Sequence, residues 1–177
     1  MREILFRGKQ KSNGNWVHGD LSYHRDGRMF IRCWDRLGFD TTYNAYEVNP
    51  ETGGQFTGLY DSTKWEDLPD AEKLDFYKKH YIGSDGMSVR FQHIDDVKHL
   101  WKGKKIFEGD IVAYCWYEDE PMNFQIEFVS GEFIAVPVKK REGVWAIRIS
   151  GQGENLEIVG NIHDNPELLN GGAEDGV

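Results

Sequence analysis

Apolar residues in this chain recur in short runs broken by glycine, and most runs alternate with polar residues at a period of two. That period puts the apolar side chains on one face of an extended strand. Residues 2–7 read as a first strand, 12–15 as a turn and 16–23 as a second strand. Asp26-Gly27 is a hairpin signal. After it, Met29, Ile31 and Cys33 alternate with Phe30, Arg32 and Trp34. The pattern predicts a three-stranded meander over 2–34, then a polar loop over 35–43. Short strands follow at 45–48 and, after Gly53-Gly54, at 55–60.

The period changes at Asp61. Residues 62–81 lack alternation, and Thr63 with Glu66 fits a capping box. Pro69 suits the first turn of a second helix carrying Leu74, Phe76 and Tyr77, with Gly83 as its stop. A strand is expected at 87–94, and 95–101 is ambiguous. Strand character returns at Lys104 and runs through 110–117. Residues 123–129 and 132–138 flank Ser130-Gly131 and read as a hairpin. Pro137 puts the end of its second strand at an edge or outside the sheet. Strands are also expected at 144–149 and 156–163, which would make Trp116 and Trp145 core or half-core residues. Asn165-Pro166 reads as a helix start and 171–177 as a disordered tail.

Glycine carries the turns, since the chain has 20 glycines and only 5 prolines. Its formal net charge is -9. That opposes nucleic-acid binding by bulk electrostatics, which needs a basic face. Local basic patches remain at Lys102, Lys104 and Lys105 and at Lys139, Lys140 and Arg141, where solvated turn lysines are the plainer reading. Cys33 and Cys115 sit in apolar runs and read as buried free thiols of a reducing compartment. With no charged-then-apolar leader and no long apolar run, a cytoplasmic protein without membrane contact is expected.

Candidate chemistry is sparse. There is no nucleophile elbow, phosphate loop or zinc motif, and no cofactor is expected. Asp95, Asp96 and His99 would share a face if 94–101 is helical, forming a weak metal candidate beside the plain reading of an acidic helix start. Pro69-Asp70 with Asp96-Val97-Lys98 imitates a metal-nuclease pattern, but Pro69-Asp70 reads as a helix start. Val17-His18-Gly19-Asp20-Leu21 echoes Phe107-Glu108-Gly109-Asp110-Ile111. A shared turn solution explains it, with glycine in the turn and Asp bonding nearby backbone N–H groups. The candidate binding residues are Trp101, Lys102, Lys104 and Trp65. An exposed tryptophan beside lysines suits a partner hot spot or base stacking. The competing reading is that Trp101 packs the helical segment onto the strands.

Four motifs occur in order: the strand at 2–7; Gln55-Phe56-Thr57-Gly58-Leu59-Tyr60-Asp61; Gly103 onward through Glu108-Gly109-Asp110-Ile111-Val112; and Gly160-Asn161 through Pro166-Glu167-Leu168-Leu169. Together they resemble the YopX proteins of bacteriophages and prophages. In the shorter family pattern the two central motifs nearly touch, whereas here residues 62–101 intervene. The resemblance implies a barrel-like β domain of phage origin and carries over no catalytic residue. On it the motif residues Gln55, Thr57, Gly58, Asp61, Glu108, Gly109, Asp110, Gly160, Asn161 and Pro166 read as structural.

The expectation is therefore an all-β domain over 1–170. It would be barrel-like or a strongly curved antiparallel sheet, with a helical insertion at 62–101. Its expected role is a non-catalytic module binding a host or phage protein, and homo-oligomerisation is compatible with that. The alternatives are a nucleic-acid-binding barrel, disfavoured by the acidic pI, and a metal-dependent phage enzyme at Asp95, Asp96 and His99.

Overall fold

The computed structural model describes residues 3–37, 40–81, 93–114 and 121–169, and among these the chain forms eleven strands and one α-helix. The strands are β1 (Phe6–Lys9), β2 (Trp16–Tyr23), β3 (Met29–Leu37), β4 (Asp40–Val48), β5 (Gly54–Tyr60) and β6 (Lys105–Phe107). After them come β7 (Asp110–Tyr114), β8 (Met122–Val129), β9 (Glu132–Pro137), β10 (Ile147–Arg148) and β11 (Leu156–Asn161). They form two antiparallel sheets, ordered β4-β3-β2-β1-β5-β6 and β10-β9-β8-β7-β11. The protein is mainly β, and the described strands close no barrel. The first sheet does curl: Gln10, just past β1, forms a bridge with Val48 of β4, three strands away.

The predicted meander is present as β1-β2-β3, although β1 begins at Phe6 rather than at residue 2. The predicted polar loop over 35–43 is instead the far end of a long hairpin. β3 and β4 pair without a shift from Met29↔Val48 to Leu37↔Asp40. Its polar sequence, which lacks apolar alternation, hid it; past Arg32, β3 pairs with β4 alone among the described strands. The Ser130-Gly131 hairpin forms as expected, with both residues at positive φ, 53° and 89°, as a two-residue loop between twisted strands requires. Pro137 sits at the end of β9, beyond the short contact with β10 at Ala135 and Ile134. The expected strand over 144–149 shrinks to Ile147–Arg148, which releases Trp145 from the sheet.

Among the described residues, most apolar burial falls into three clusters. Met29, Ile31 and Val48 fill the curl of the first sheet with Phe6, Val17 and Leu21. Ile106, Val112, Phe124, Ile126, Ala135, Ile149 and Leu156 line the second sheet, and Leu59 of β5 packs against them. The third cluster belongs to the excursion between β5 and β6. There a 3-10 turn at Trp65–Asp67, α1 (Asp70–Tyr81) and a 3-10 helix at Ile94–Leu100 gather Trp65, Leu68 and Val97 around Phe76 and Trp101.

Thr63 does not cap a helix. Its hydroxyl donates to Asp61 Oδ2 at 2.7 Å, and Lys64 occupies the cap of the first turn without a side-chain bond. Pro69 caps α1 through its carbonyl, which accepts from the Glu72 and Lys73 N–H groups. Gly83, most of the expected strand at 87–94, Cys115, Trp116, Tyr117 and the tail at 171–177 lie outside the described residues.

The two ends of the excursion meet at a stem, where Asp61 N–H donates to the Lys104 carbonyl at 2.9 Å. Gly103 completes that stem at φ +105°, and a Cβ there would lie 2.2 Å from the Asp61 carbonyl oxygen, so only glycine fits. Because the excursion carries its own apolar cluster, deleting residues 62–101 and joining the stem by a short glycine turn is expected to leave both sheets folded. A cooperative urea transition of the shortened chain checks this, and a non-cooperative one contradicts it.

Candidate functional site

Polar residues of the motif segments converge where the two sheets meet. Asp61 follows β5 and is 4% exposed. Its Oδ1 accepts from the Thr63 N–H at 3.0 Å and the Lys104 N–H at 2.7 Å, while Oδ2 accepts from the Thr63 hydroxyl and, at 3.3 Å, from the Ile158 N–H of β11. One carboxylate thus ties the first sheet, the excursion and the second sheet together. Thr57 does related work: its hydroxyl donates to the Ile106 carbonyl at 2.9 Å and accepts from the Leu59 N–H. This spans the irregular pairing in which Phe56↔Phe107 and Tyr60↔Lys105 bracket Gly58. The Gln55 carbonyl accepts from the Glu108 N–H.

A second knot centres on Arg7 and Asp110. The Arg7 Nη2 lies 2.5 Å from Asp110 Oδ1 and donates to the Glu108 carbonyl at 3.1 Å. Its guanidinium stacks between Trp16 and Phe107, 4.7 and 4.8 Å from their ring centroids. Asp110 Oδ2 accepts from the Phe107 N–H across the Glu108-Gly109 turn. Burial pushes the Asp110 carboxyl up, against the opposing pull of the Arg7 guanidinium and the Phe107 N–H. The expected Gly-Asp turn is thus real at Gly109-Asp110, where Gly109 has φ +82°. It is absent at the echo, because Gly19 lies inside β2, against the Arg32 carbonyl of β3.

The last motif closes the chain onto its beginning. Asn161 Oδ1 accepts from the His163 and Asp164 N–H groups, and the Asn161 side chain donates to Asp164 Oδ2. Asp164 also receives Trp16 Nε1 at 2.8 Å and pairs with Lys9. The Asn161 bond first, then Lys9, hold its carboxyl down at about 2. Gly160 lets this corner form, since a Cβ would meet Asn165 Oδ1 at 2.6 Å. Asn165 spends that oxygen on the Asn161 N–H rather than on capping the 3-10 turn that Pro166 opens.

His18 stands against the Phe107 ring at 5.2 Å. Crowding by its neighbours, then the positive Arg7, Lys79 and Lys105, push its pKa down to about 4 although the residue keeps solvent contact. Burial first, then Arg7 and Lys9, lower His163 as well. Both groups bind protons less readily folded than unfolded. Their stabilising effect is therefore complete above the ordinary histidine value of 6.5 and is lost as pH falls below it, for His18 as pH approaches about 4. The melting temperature is expected to drop between pH 7 and pH 4.5, and His18→Gln to flatten part of that slope. An unchanged slope in the variant contradicts the assignment.

The candidate binding residues are placed differently from one another. Trp65 is 4% exposed and donates through Nε1 to Asp95 Oδ1 at 2.9 Å. Trp101 is half-buried, packs edge-on to Trp65 and Phe76, and donates to the Thr63 carbonyl. Both belong to the apolar cluster of the excursion. Lys104 pairs with Glu72, and Lys102 sits 5.8 Å above the Tyr60 ring.

The metal candidates do not assemble. Asp95 is engaged by Trp65 and Asp96 accepts from the His93 N–H, and among the described residues no three His, Cys, Asp or Glu side chains group to hold a metal ion. The nuclease-like pattern dissolves in the same way: Asp70 opens α1, while Asp96 and Lys98 lie on a 3-10 helix, with Lys98 paired to Glu66.

Sequence reasoning missed Arg7, whose role depends on a partner far along the chain, and misplaced Trp145, which is 78% exposed. No helix of the described residues is long and apolar enough to cross a membrane.

The family model described as YopX protein matches residues 101–170, consistent with a YopX-family protein. The motifs at 103–112 and 160–169 lie inside the match, and those at 2–7 and 55–61 precede it. No curated protein matches the chain.

Proposed function

We propose that this chain with its YopX match is a phage-type, non-catalytic module that binds another protein. The observation behind this reading is that the two buried motif carboxylates, Asp61 and Asp110, are committed to architecture. Asp61 and Asp110 are 4% and 2% exposed and engaged by backbone N–H groups, the Thr63 hydroxyl and Arg7. Asp61 accepts four hydrogen bonds, which matches the acceptor capacity of a carboxylate, and Asp110 is closed off from solvent by burial. What remains available is surface: the outer faces of the excursion and the loops of the second sheet.

Affinity capture of the tagged full-length protein from bacterial lysate, with and without nuclease, tests the reading. A defined protein that co-purifies after nuclease treatment supports it. Recovery that vanishes with nuclease overturns it in favour of nucleic-acid binding, and capture of no protein at all overturns it without favouring nucleic acid.

A further inference from the structure

The loop between β9 and β10 gathers features that nothing above uses. Lys139, Lys140 and Arg141 are consecutive and exposed. Most cations elsewhere in the described residues are paired, including Arg7 with Asp110, Lys9 with Asp164, Lys11 with Glu47 and Lys105 with Glu3. Lys139 and Lys140 make no ion pair among the described residues, and Arg141 reaches only the Met122 sulfur at 4.0 Å.

A tight turn, with the Val144 N–H donating to the Arg141 carbonyl at 3.1 Å and Gly143 at φ +81°, folds the chain back immediately before Trp145. That turn sets an aromatic ring, 78% exposed, close along the chain to three positive charges and one exposed acid, Glu142, none of them ion-paired among the described residues. A single exposed tryptophan means little by itself. Through Lys139, however, the loop borders a groove of about 440 Å³ whose lining includes Met122, Val138 and Leu168 as apolar walls, with Glu167 as the one acid among the described lining residues. The Arg141 contact with Met122 joins the loop to that groove.

We infer that this loop and groove form a docking site for an acidic peptide segment of a partner protein. The segment places one or two apolar side chains between Met122, Val138 and Leu168, and its flanking carboxylates on Lys139, Lys140 and Arg141. Trp145 closes over it as the aromatic anchor. Charge complementarity selects the occupant. A nucleic acid presents phosphates along its whole length and would meet the remainder of a chain whose net charge is -9. A short acidic peptide needs only the local patch, and an apolar groove offers a phosphate backbone nothing. The inference deepens the protein-binding reading and rests on it.

Panning the full-length protein against a random 12-residue peptide library tests it. Enriched peptides are expected to carry one or two large apolar residues flanked by Asp and Glu. Their binding, followed by fluorescence anisotropy, is expected to weaken at least tenfold in Trp145→Ala and in Lys139→Glu/Lys140→Glu, and severalfold at high salt. Both variants change exposed side chains, so an unchanged melting temperature confirms that the fold is intact. Basic or purely apolar selected peptides, no enrichment, or binding indifferent to both variants overturns the inference. So does tight binding of a thymidine 20-mer that Trp145→Ala abolishes, which assigns the loop to single-stranded nucleic acid.

The two readings fail separately. A partner captured from lysate equally well by Trp145→Ala sinks this site and leaves the protein-binding reading standing. No captured protein sinks that reading whatever the peptides do.

Discussion

Asp110→Ala is expected to lower the free energy of unfolding by about 3–5 kcal/mol, the range for removing one partner of a buried ion pair. The loss comes from what stays behind. Arg7 would remain a buried guanidinium between the Trp16 and Phe107 rings, keeping only the Glu108 carbonyl as acceptor. Its Nε already has no hydrogen-bond partner, so the site has no spare acceptor to absorb the change. The Phe107 N–H would lose its partner as well. Converting both members is expected to do less harm than converting one. Arg7→Met with Asp110→Asn removes the charges, keeps an apolar stem between the rings and retains an acceptor for Phe107. Urea unfolding of the two single variants and the double closes the cycle. A double variant as damaged as the sum of the singles contradicts a coupled pair.

Asp61→Ala is expected to be comparably severe, roughly 3–5 kcal/mol, because backbone N–H groups lose their acceptor at about 1–3 kcal/mol each when buried. The groups concerned are those of Thr63, Lys104 and Ile158, on three different parts of the chain. Their common dependence on one side chain makes a further consequence measurable. Hydrogen exchange at Lys104 and Ile158 should accelerate together in Asp61→Asn, which keeps the shape and one acceptor oxygen. Acceleration confined to the excursion would mean that Asp61 serves that segment alone.

Losses of this size are a large part of the stability of a domain of this kind, about 5–15 kcal/mol in total. They also bear on what the motifs are for. Gly58, Gly103, Gly109 and Gly160 shape the backbone around Asp61, Asp110 and Asn161; Asp61 and Asp110 each close a contact between segments distant in sequence, and Asn161 holds Asp164, which reaches Trp16 and Lys9. Residues fixed by architecture in this way look like catalytic signatures in a sequence, since both kinds are polar, glycine-flanked and irreplaceable.

What the sequence made legible was local. The Ser130-Gly131 hairpin, the meander and the shift to helix after Asp61 follow from periods and turn residues confined to a few neighbours. The division into two sheets was not legible, because the partner of each strand edge is set by contacts such as Asp61 with Ile158. The β3–β4 ribbon was lost because Asp35, Arg36, Asp40 and Thr41 break the apolar alternation in a stretch where β3 pairs with β4 alone among the described strands. Trp145 was assigned to a strand because Val144, Trp145 and Ile147 imitate a buried run; only Ile147 and Arg148 pair with β9. Of the candidate site, Asp61 and Asp110 were visible as motif residues. Arg7 carried no local signal, since an arginine early in a strand is ordinary until its partner, 103 positions on, is known.

On the proposed reading, the motif residues build the junction between the sheets while recognition happens on the surface. This claim is tested most directly by measuring how the captured partner binds to Asp61→Asn and Asp110→Asn, well below their melting temperatures, with the folded fraction determined in the same samples. Affinity per folded molecule is expected to equal that of the unmodified protein, with the whole effect of each substitution appearing in stability. A variant that is fully folded yet no longer binds would contradict the claim and place Asp61 or Asp110 in the binding site itself.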